Sequence, residues 1–149
     1  MVFVVENRGE KIKVHAEYTN SCCILHPIIA GAIAGEAKFV ISQEENLTTL
    51  LSIERYPQFK KHGVAKAMLD VMEYMSFEKD VYHIGGLFAP SEDRTDVEKF
   101  YRRNGYDVYI DEYERMFMDG NKCTERISKV LTHEIENVKE ITQTLERSK

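Results

Sequence analysis

Apolar and polar residues alternate strictly over residues 11–18, where Ile12, Val14 and Ala16 fall between Lys11, Lys13, His15 and Glu17. A period of two puts every second side chain on one face, so this stretch predicts a half-buried strand. The apolar run at residues 2–5 predicts its partner, and Asn7-Arg8-Gly9-Glu10 between them predicts a hairpin. Residues 20–35 carry no clean period; their small residues suit a short helix after Pro27 or a strand. Residues 36–42 and 47–55 read as two further strands, antiparallel through the polar turn Gln43-Glu44-Glu45-Asn46.

The period then changes. Val64, Ala67, Met68, Val71, Met72 and Met75 fall at i, i+3, i+4, i+7, i+8 and i+11, one apolar stripe of a helix running to about Ser76, with Lys66, Asp70 and Glu73 off the stripe. Residues 77–80 read as a polar connection and 81–88 as a strand, in which Gly85-Gly86 predicts a bulge or a close approach of another group. A second helix is predicted over residues 91–104, with Ser91, Asp93 and Thr95 as N-cap candidates and Gly105 as its C-terminal stop. Residues 106–111 and 115–118 read as strands. Strand, helix, strand, helix, strand from 47 to 110 is an α/β signal.

Residues 121–149 differ in kind. Ile127, Val130, Leu131, Ile135, Val138, Ile141 and Leu145 recur every three or four positions among Glu, Lys and Thr, predicting a long amphipathic helix set off by Gly120-Asn121. Such a helix packs either on the domain or on a partner, a second copy included, since Leu131, Val138 and Leu145 are spaced by seven.

At 149 residues, the simplest organisation is one domain over 1–120 followed by that helix. Composition is that of a soluble globular protein, 43% hydrophobic and 30% charged, and the least polar stretch, 22–34, is too short to span a bilayer. The N-terminus lacks a basic region and a cleavage site, which predicts no secretion. Cys22, Cys23 and Cys123 form no CxxC pair, so reduced thiols in the cytoplasm are expected, and no metal is. A net charge of −5 argues against nucleic acid as a partner.

The chemistry concentrates at Lys60-Lys61-His62-Gly63-Val64-Ala65, a basic, Gly-punctuated turn between a strand and a helix. The first turn of a helix has N–H groups without intrahelical partners and a positive dipole end, so an anion such as phosphate binds there. This spacing resembles the acyl-CoA pyrophosphate loop of the GNAT (general N-acetyltransferase) superfamily, [QR]-x-x-G-x-[GA], with Lys60 in place of Gln or Arg and Lys61 where many members have Gly. The run Phe100-Tyr101-Arg102-Arg103-Asn104-Gly105-Tyr106 resembles a second GNAT hallmark, F-Y-x-x-x-G-[FY], and Tyr101 lies 38 residues after Gly63, the family's interval. The resemblance covers residues 35–110; before it there is little room for the strand and two helices most members carry.

The resemblance implies an α/β (α+β mixed-sheet) acyl-CoA N-acyltransferase fold with splayed central strands, and acetyl transfer from acetyl-CoA to an amine by direct attack. It further implies that backbone groups near Ile53 and Arg55 receive the pantetheine and thioester, and that Lys60, Lys61, His62, Gly63, Val64, Ala65 and Lys66 cradle the pyrophosphate. Arg94, where members often have Asn, would reach a CoA phosphate or serve the helix start. Tyr101 falls on the general-acid position. Where members place a base, this chain has Thr49, Leu51 and Ser52, so Glu54 is the nearest candidate, Glu44, Glu45 and His83 being more distant; a water relay or a low-pKa amine is the alternative. The second functional reading is a catalytically weak acyl-CoA sensor or interaction module.

Overall fold

The computed structural model describes residues 1–7, 9–19, 21–59, 62–88, 94–110 and 116–121. The chain forms β1 (Val2–Asn7), β2 (Glu10–Thr19), β3 (Cys22–Ile29), the short β4 (Ala32–Ile33), β5 (Gly35–Ser42) and β6 (Leu47–Arg55). A 3-10 turn (Pro57–Phe59) leads to α1 (Val64–Glu78), then β7 (His83–Phe88), α2 (Arg94–Arg103), β8 (Asp107–Ile110) and β9 (Met116–Asn121). The strands make one mixed sheet in the order β1-β2-β3-β5-β6-β7-β9-β8, with β4 paired to β3. All neighbours are antiparallel except β6 and β7, which are joined through α1.

The first hairpin follows from its alternation: Ile12, Val14 and Ala16 are buried, and Phe3 and Val5 opposite them complete one layer of the core. Residues 20–35, without a readable period, are strand rather than helix. Cys23, Leu25 and Pro27 of β3 point into the core, but Ile24 and Ile28 on its other face are apolar too, and this masks the alternation. Pro27 has no N–H to donate, yet its carbonyl accepts from the Ala34 N–H at 2.8 Å, and β3 pairs with β5 only through Cys23, Ile24 and Leu25.

Helix α1 lies across β1, β2, β3, β5 and β6. It extends through Glu78, past the connection expected at residues 77–80, because Asp80 adopts a left-handed φ of 58° and closes a Schellman end: Val81 N–H to Ser76 C=O at 2.9 Å and Asp80 N–H to Phe77 C=O at 2.9 Å. Its stripe is buried as predicted, but Asp70 and Glu73, expected off it, are each only 2% exposed. Buried carboxylates need partners. Asp70 takes the Lys66 ammonium at 3.0 Å, and Glu73 accepts from the Tyr106 hydroxyl at 2.8 Å, which ties α1 to the end of α2. Ser76 donates to the Met72 carbonyl, so its bond with Thr48 at 2.6 Å must be donated by Thr48, fastening α1 to β6.

Helix α2 begins at Arg94, with Thr95 inside it rather than capping it; Ser91 and Asp93 lie outside the described residues. Gly105 ends it at a φ of 87°, again as a Schellman motif, with Tyr106 N–H to Tyr101 C=O at 3.0 Å and Gly105 N–H to Arg102 C=O at 3.1 Å. Gly85 and Gly86 make no bulge: β7 keeps continuous register with β6 and β9. Gly120 and Asn121 end β9 instead of separating off a helix, and the predicted helix beyond them lies outside the described residues.

Candidate functional site

The central strands come apart. β6 and β7 pair at Thr48–Ile84, Thr49–Gly85 and Leu50–Gly86, and among the described residues no further. Beyond that point β6 continues beside β5 as far as Arg55, and β7 beside β9 as far as Phe88. The cause sits in the neighbouring pair: Phe39 faces Leu50 and Lys38 faces Ser52, so Leu51 is an extra residue on β6. A bulge bends its strand and raises its twist, and here the bend falls where β6 leaves β7. Alternate residues after Leu50 therefore turn their N–H and C=O toward the side that β7 has left.

The bulge also sorts the side chains. Ile53 pairs with Ala37 and Arg55 with Gly35, on the face covered by α1; Glu54 pairs with Glu36, on the opposite face. A Cβ on Gly35 would collide with the Glu54 carbonyl, so only glycine fits opposite Arg55. Glu54 is exposed, and its side chain makes no hydrogen bond or ion pair with another described residue.

Helix α1 follows the opened end of β6 through the 3-10 turn at Pro57–Phe59. Gly63 is its N-cap in a left-handed conformation (φ 67°, ψ 27°) with no side-chain cap, and the first turn has no acidic residue. The first backbone bond runs from Ala67 N–H to Gly63 C=O at 3.0 Å, leaving the N–H groups of Val64, Ala65 and Lys66 without intrahelical partners. An uncapped positive helix end without carboxylates suits an anion. Val64 is buried in the core and Ala65 half-buried. His62 turns to β2, its Nδ1 3.4 Å from Glu10 Oε2. Lys66 is held along the helix by Asp70 rather than over its end. Lys60 and Lys61 lie outside the described residues.

Tyr101 is 1% exposed, edge-on to Phe100 at 5.1 Å and to Tyr106 at 6.0 Å, in the core shared with α1. Burial pushes its phenol well above the ordinary value, so the hydroxyl keeps its proton throughout the neutral range. Tyr101 and Glu54 thus lie on opposite faces of the sheet. Arg94 is the first residue of α2. Arg102 is not a loose cation: it donates to Val108 C=O at 2.8 Å and to Glu98 at 3.0 Å.

A group the sequence did not single out lies on the face of Glu54. His26 Nε2 is 3.1 Å from Glu36 Oε2, Lys38 Nζ is 3.6 Å from Glu36 Oε1, and the His26 bond holds the Glu36 carboxyl below its usual value. With His15 opposite His26 and Glu54 opposite Glu36, titratable residues of β2, β3, β5 and β6 form one row. Reading residues 22–29 as a strand would have placed His26 on this outer face.

No family model matches the sequence, and no curated protein matches it. Solved structures do match. The PaiA N-acetyltransferase of Thermoplasma acidophilum, in complex with coenzyme A, is 17% identical with a TM-score of 0.58, over 68% of this chain and 61% of that one. Nourseothricin acetyltransferase is 18% identical with a TM-score of 0.58, over 80% and 82%. A GNAT family acetyltransferase of Elizabethkingia anophelis with acetyl-CoA bound is 10% identical with a TM-score of 0.60, over 74% and 97%. At these identities the likeness shows the fold.

Proposed function

From a chain with the acyl-CoA N-acyltransferase fold of the GNAT superfamily, we propose an acetyl-CoA-dependent N-acetyltransferase acting on a primary amine of a small molecule or protein. One observation carries the reading: the strand that leaves its neighbour after Leu50 leads, through the 3-10 turn at Pro57–Phe59, into the uncapped, acid-free start of α1. The two offer what an acyl-CoA requires, a strand edge for its amides and a helix end for its pyrophosphate. The residues present fit that group. When bound, acetyl-CoA supplies an activated acetyl thioester.

The N–H groups of Val64, Ala65 and Lys66 hold the pyrophosphate, and Gly63 lets it approach. Lys60 and Lys61 add positive charge, and His62 completes the loop. The β6 backbone near Ile53 and Arg55 aligns the acyl arm, and its N–H groups stabilise a developing oxyanion. Arg94 serves a cofactor phosphate or the start of α2. Tyr101 holds a proton at Oη for the departing thiolate; a phenol is a workable donor to a thiolate of ordinary pKa near 8.5. An amine of pKa about 10.4 arrives protonated at neutral pH, and Glu54, exposed beside the opening, takes that proton.

A second reading, an acyl-CoA sensor or interaction module with weak catalysis, is favoured by one feature. Thr49, Leu51 and Ser52, at the positions where a base is expected, do not titrate, and Glu54 lies on the face away from Tyr101. Two measurements separate the readings. Thermal stability should rise with acetyl-CoA, by about 2.7 kcal/mol at 100-fold over Kd; no shift at millimolar concentration would sink both. CoA release across an amine panel then tests turnover, and binding without release from any amine favours the sensor. Among the described residues no helix is long and apolar enough to cross a membrane; cytoplasmic residence and the absence of nucleic acid as a partner belong to the proposal.

A further inference from the structure

Glu73 has no part in the chemistry described above, yet it sits in the third turn of α1, where Leu69, Met72 and Met75 belong to the hydrophobic core. A carboxylate there is a costly choice unless its hydrogen bond does something an apolar side chain could not. The Tyr106 hydroxyl donates to Glu73 Oε1 at 2.8 Å, a bond buried from solvent. At its other end Tyr106 is fixed to α2: its N–H donates to the Tyr101 carbonyl at 3.0 Å, just behind the left-handed Gly105. Between these two anchors its ring stands edge-on to that of Tyr101, with centroids 6.0 Å apart and planes at 87°. Edge-to-face contact is directional, so the setting of one ring constrains the other.

Tyr106 is therefore a strut between the two helices, with the ring of Tyr101 against its side. The strut bears on Tyr101 Oη, which lies at the far end of the side chain, where any tilt of the ring is largest. Misplacement by about 1 Å at a reacting centre can cost about 100-fold in rate. Glu73 also fixes the strut to a particular place. From Val64 to Glu73, α1 rises about 13.5 Å at 1.5 Å per residue. The helix whose start is the proposed pyrophosphate site thus reaches Tyr101 through a buried hydrogen bond.

We propose that Glu73 and Tyr106 are positioning residues for the acyl transfer: their buried hydrogen bond holds the Tyr106 ring against Tyr101 and so fixes Tyr101 Oη relative to a cofactor seated at the start of α1. The inference rests on the reading of Tyr101 as the proton donor. Neither residue touches the reacting atoms; both act through Tyr101.

The test uses the full chain and measures CoA release with the best acceptor of an amine panel, alongside acetyl-CoA affinity by calorimetry. Tyr106→Phe keeps the ring and removes its tether; kcat should fall about three- to tenfold while Kd for acetyl-CoA stays within about twofold. Glu73→Gln keeps an acceptor for the hydroxyl and should lose markedly less. In a Tyr101→Phe background, Tyr106→Phe should cost nothing further, because the group it aims is gone. Thr48→Val deletes another buried bond of α1, to Ser76, and should leave kcat unchanged. A kcat unmoved by Tyr106→Phe, an equal loss in Thr48→Val, or losses that multiply in the double variant would overturn the proposal and leave Tyr101 as the donor. An unmoved kcat in Tyr101→Phe would overturn the reading of Tyr101, and this inference with it. Where no panel amine turns over, 3-fluorotyrosine at position 101, with CoA added, reads the same geometry by 19F NMR. Its line should broaden at least about twofold in Tyr106→Phe and keep its width in Thr48→Val; an unchanged width in Tyr106→Phe overturns the proposal.

Discussion

Gly63 offers the sharpest probe of the proposed acyl-CoA site, because strain and charge can be varied separately there. Its φ of 67° lies in the left-handed region, where a Cβ costs about 1–2 kcal/mol. Gly63→Asn should pay the smaller part of that, since Asn tolerates this conformation better than most residues. Gly63→Glu adds a negative charge at the helix end. At 4 Å from one phosphate charge, the repulsion is about 1 kcal/mol in water and about 4 kcal/mol at an effective dielectric of 20. Gly63 is half-buried, so a value between these limits applies. Acetyl-CoA affinity, measured by calorimetry at low salt, should fall at least about tenfold in Gly63→Glu relative to Gly63→Asn, one decade being 1.4 kcal/mol. Rising salt should narrow the gap. Equal affinities in the two variants would mean that no anion sits on the start of α1, and the placement of the cofactor would fall with it.

Tyr101→Phe keeps the packing and removes the proposed proton donor, so kcat should drop at least about tenfold while acetyl-CoA binding by calorimetry is nearly unchanged; unchanged kcat would remove Tyr101 from the chemistry. Tyr106→Phe deletes the 2.8 Å bond to buried Glu73, and urea denaturation should show a loss of about 1.5–3 kcal/mol, the range for hydrogen bonds to charged groups. A loss below about 0.5 kcal/mol would mean that Glu73 is satisfied without it. Glu36 titrates below its ordinary value of 4.5, first because His26 bonds to it. A depressed native pKa gives stability that is present above the unfolded value and lost as pH falls through the native one. His26→Ala should therefore flatten the decline in melting temperature below pH 4.5, modestly, because solvent still reaches the half-buried pair. The same acid decline in both proteins would dissociate His26 from Glu36.

Much of the frame was readable from local pattern. The hairpin of β1 and β2 follows from alternation, α1 from its stripe, and the end of α2 from Gly105, whose positive φ closes the Schellman turn. The loop and helix-end motifs mark two halves of the proposed site in the sequence alone. β3 escaped because both its faces are apolar in places, which erases the period on which a strand reading depends. The burial of Asp70 and Glu73 escaped for a related reason. A moment along one helix records which side is most apolar, and cannot see that Lys66 and Tyr106 supply polar partners.

What the sequence determined by itself was whatever a few neighbouring residues settle: strand or helix period, a glycine where φ must be positive, and an uncapped helix start beside basic residues. The tertiary structure decided how those pieces face one another. The single extra residue at Leu51 opens β6 from β7 and sends Glu54 to one face while Ile53 and Arg55 keep the other. Strand pairing likewise brings His26 of β3 against Glu36 of β5. Register and facing depend on pairing between strands distant along the chain, and a shift of one residue there reverses every side chain, so no local pattern could contain them.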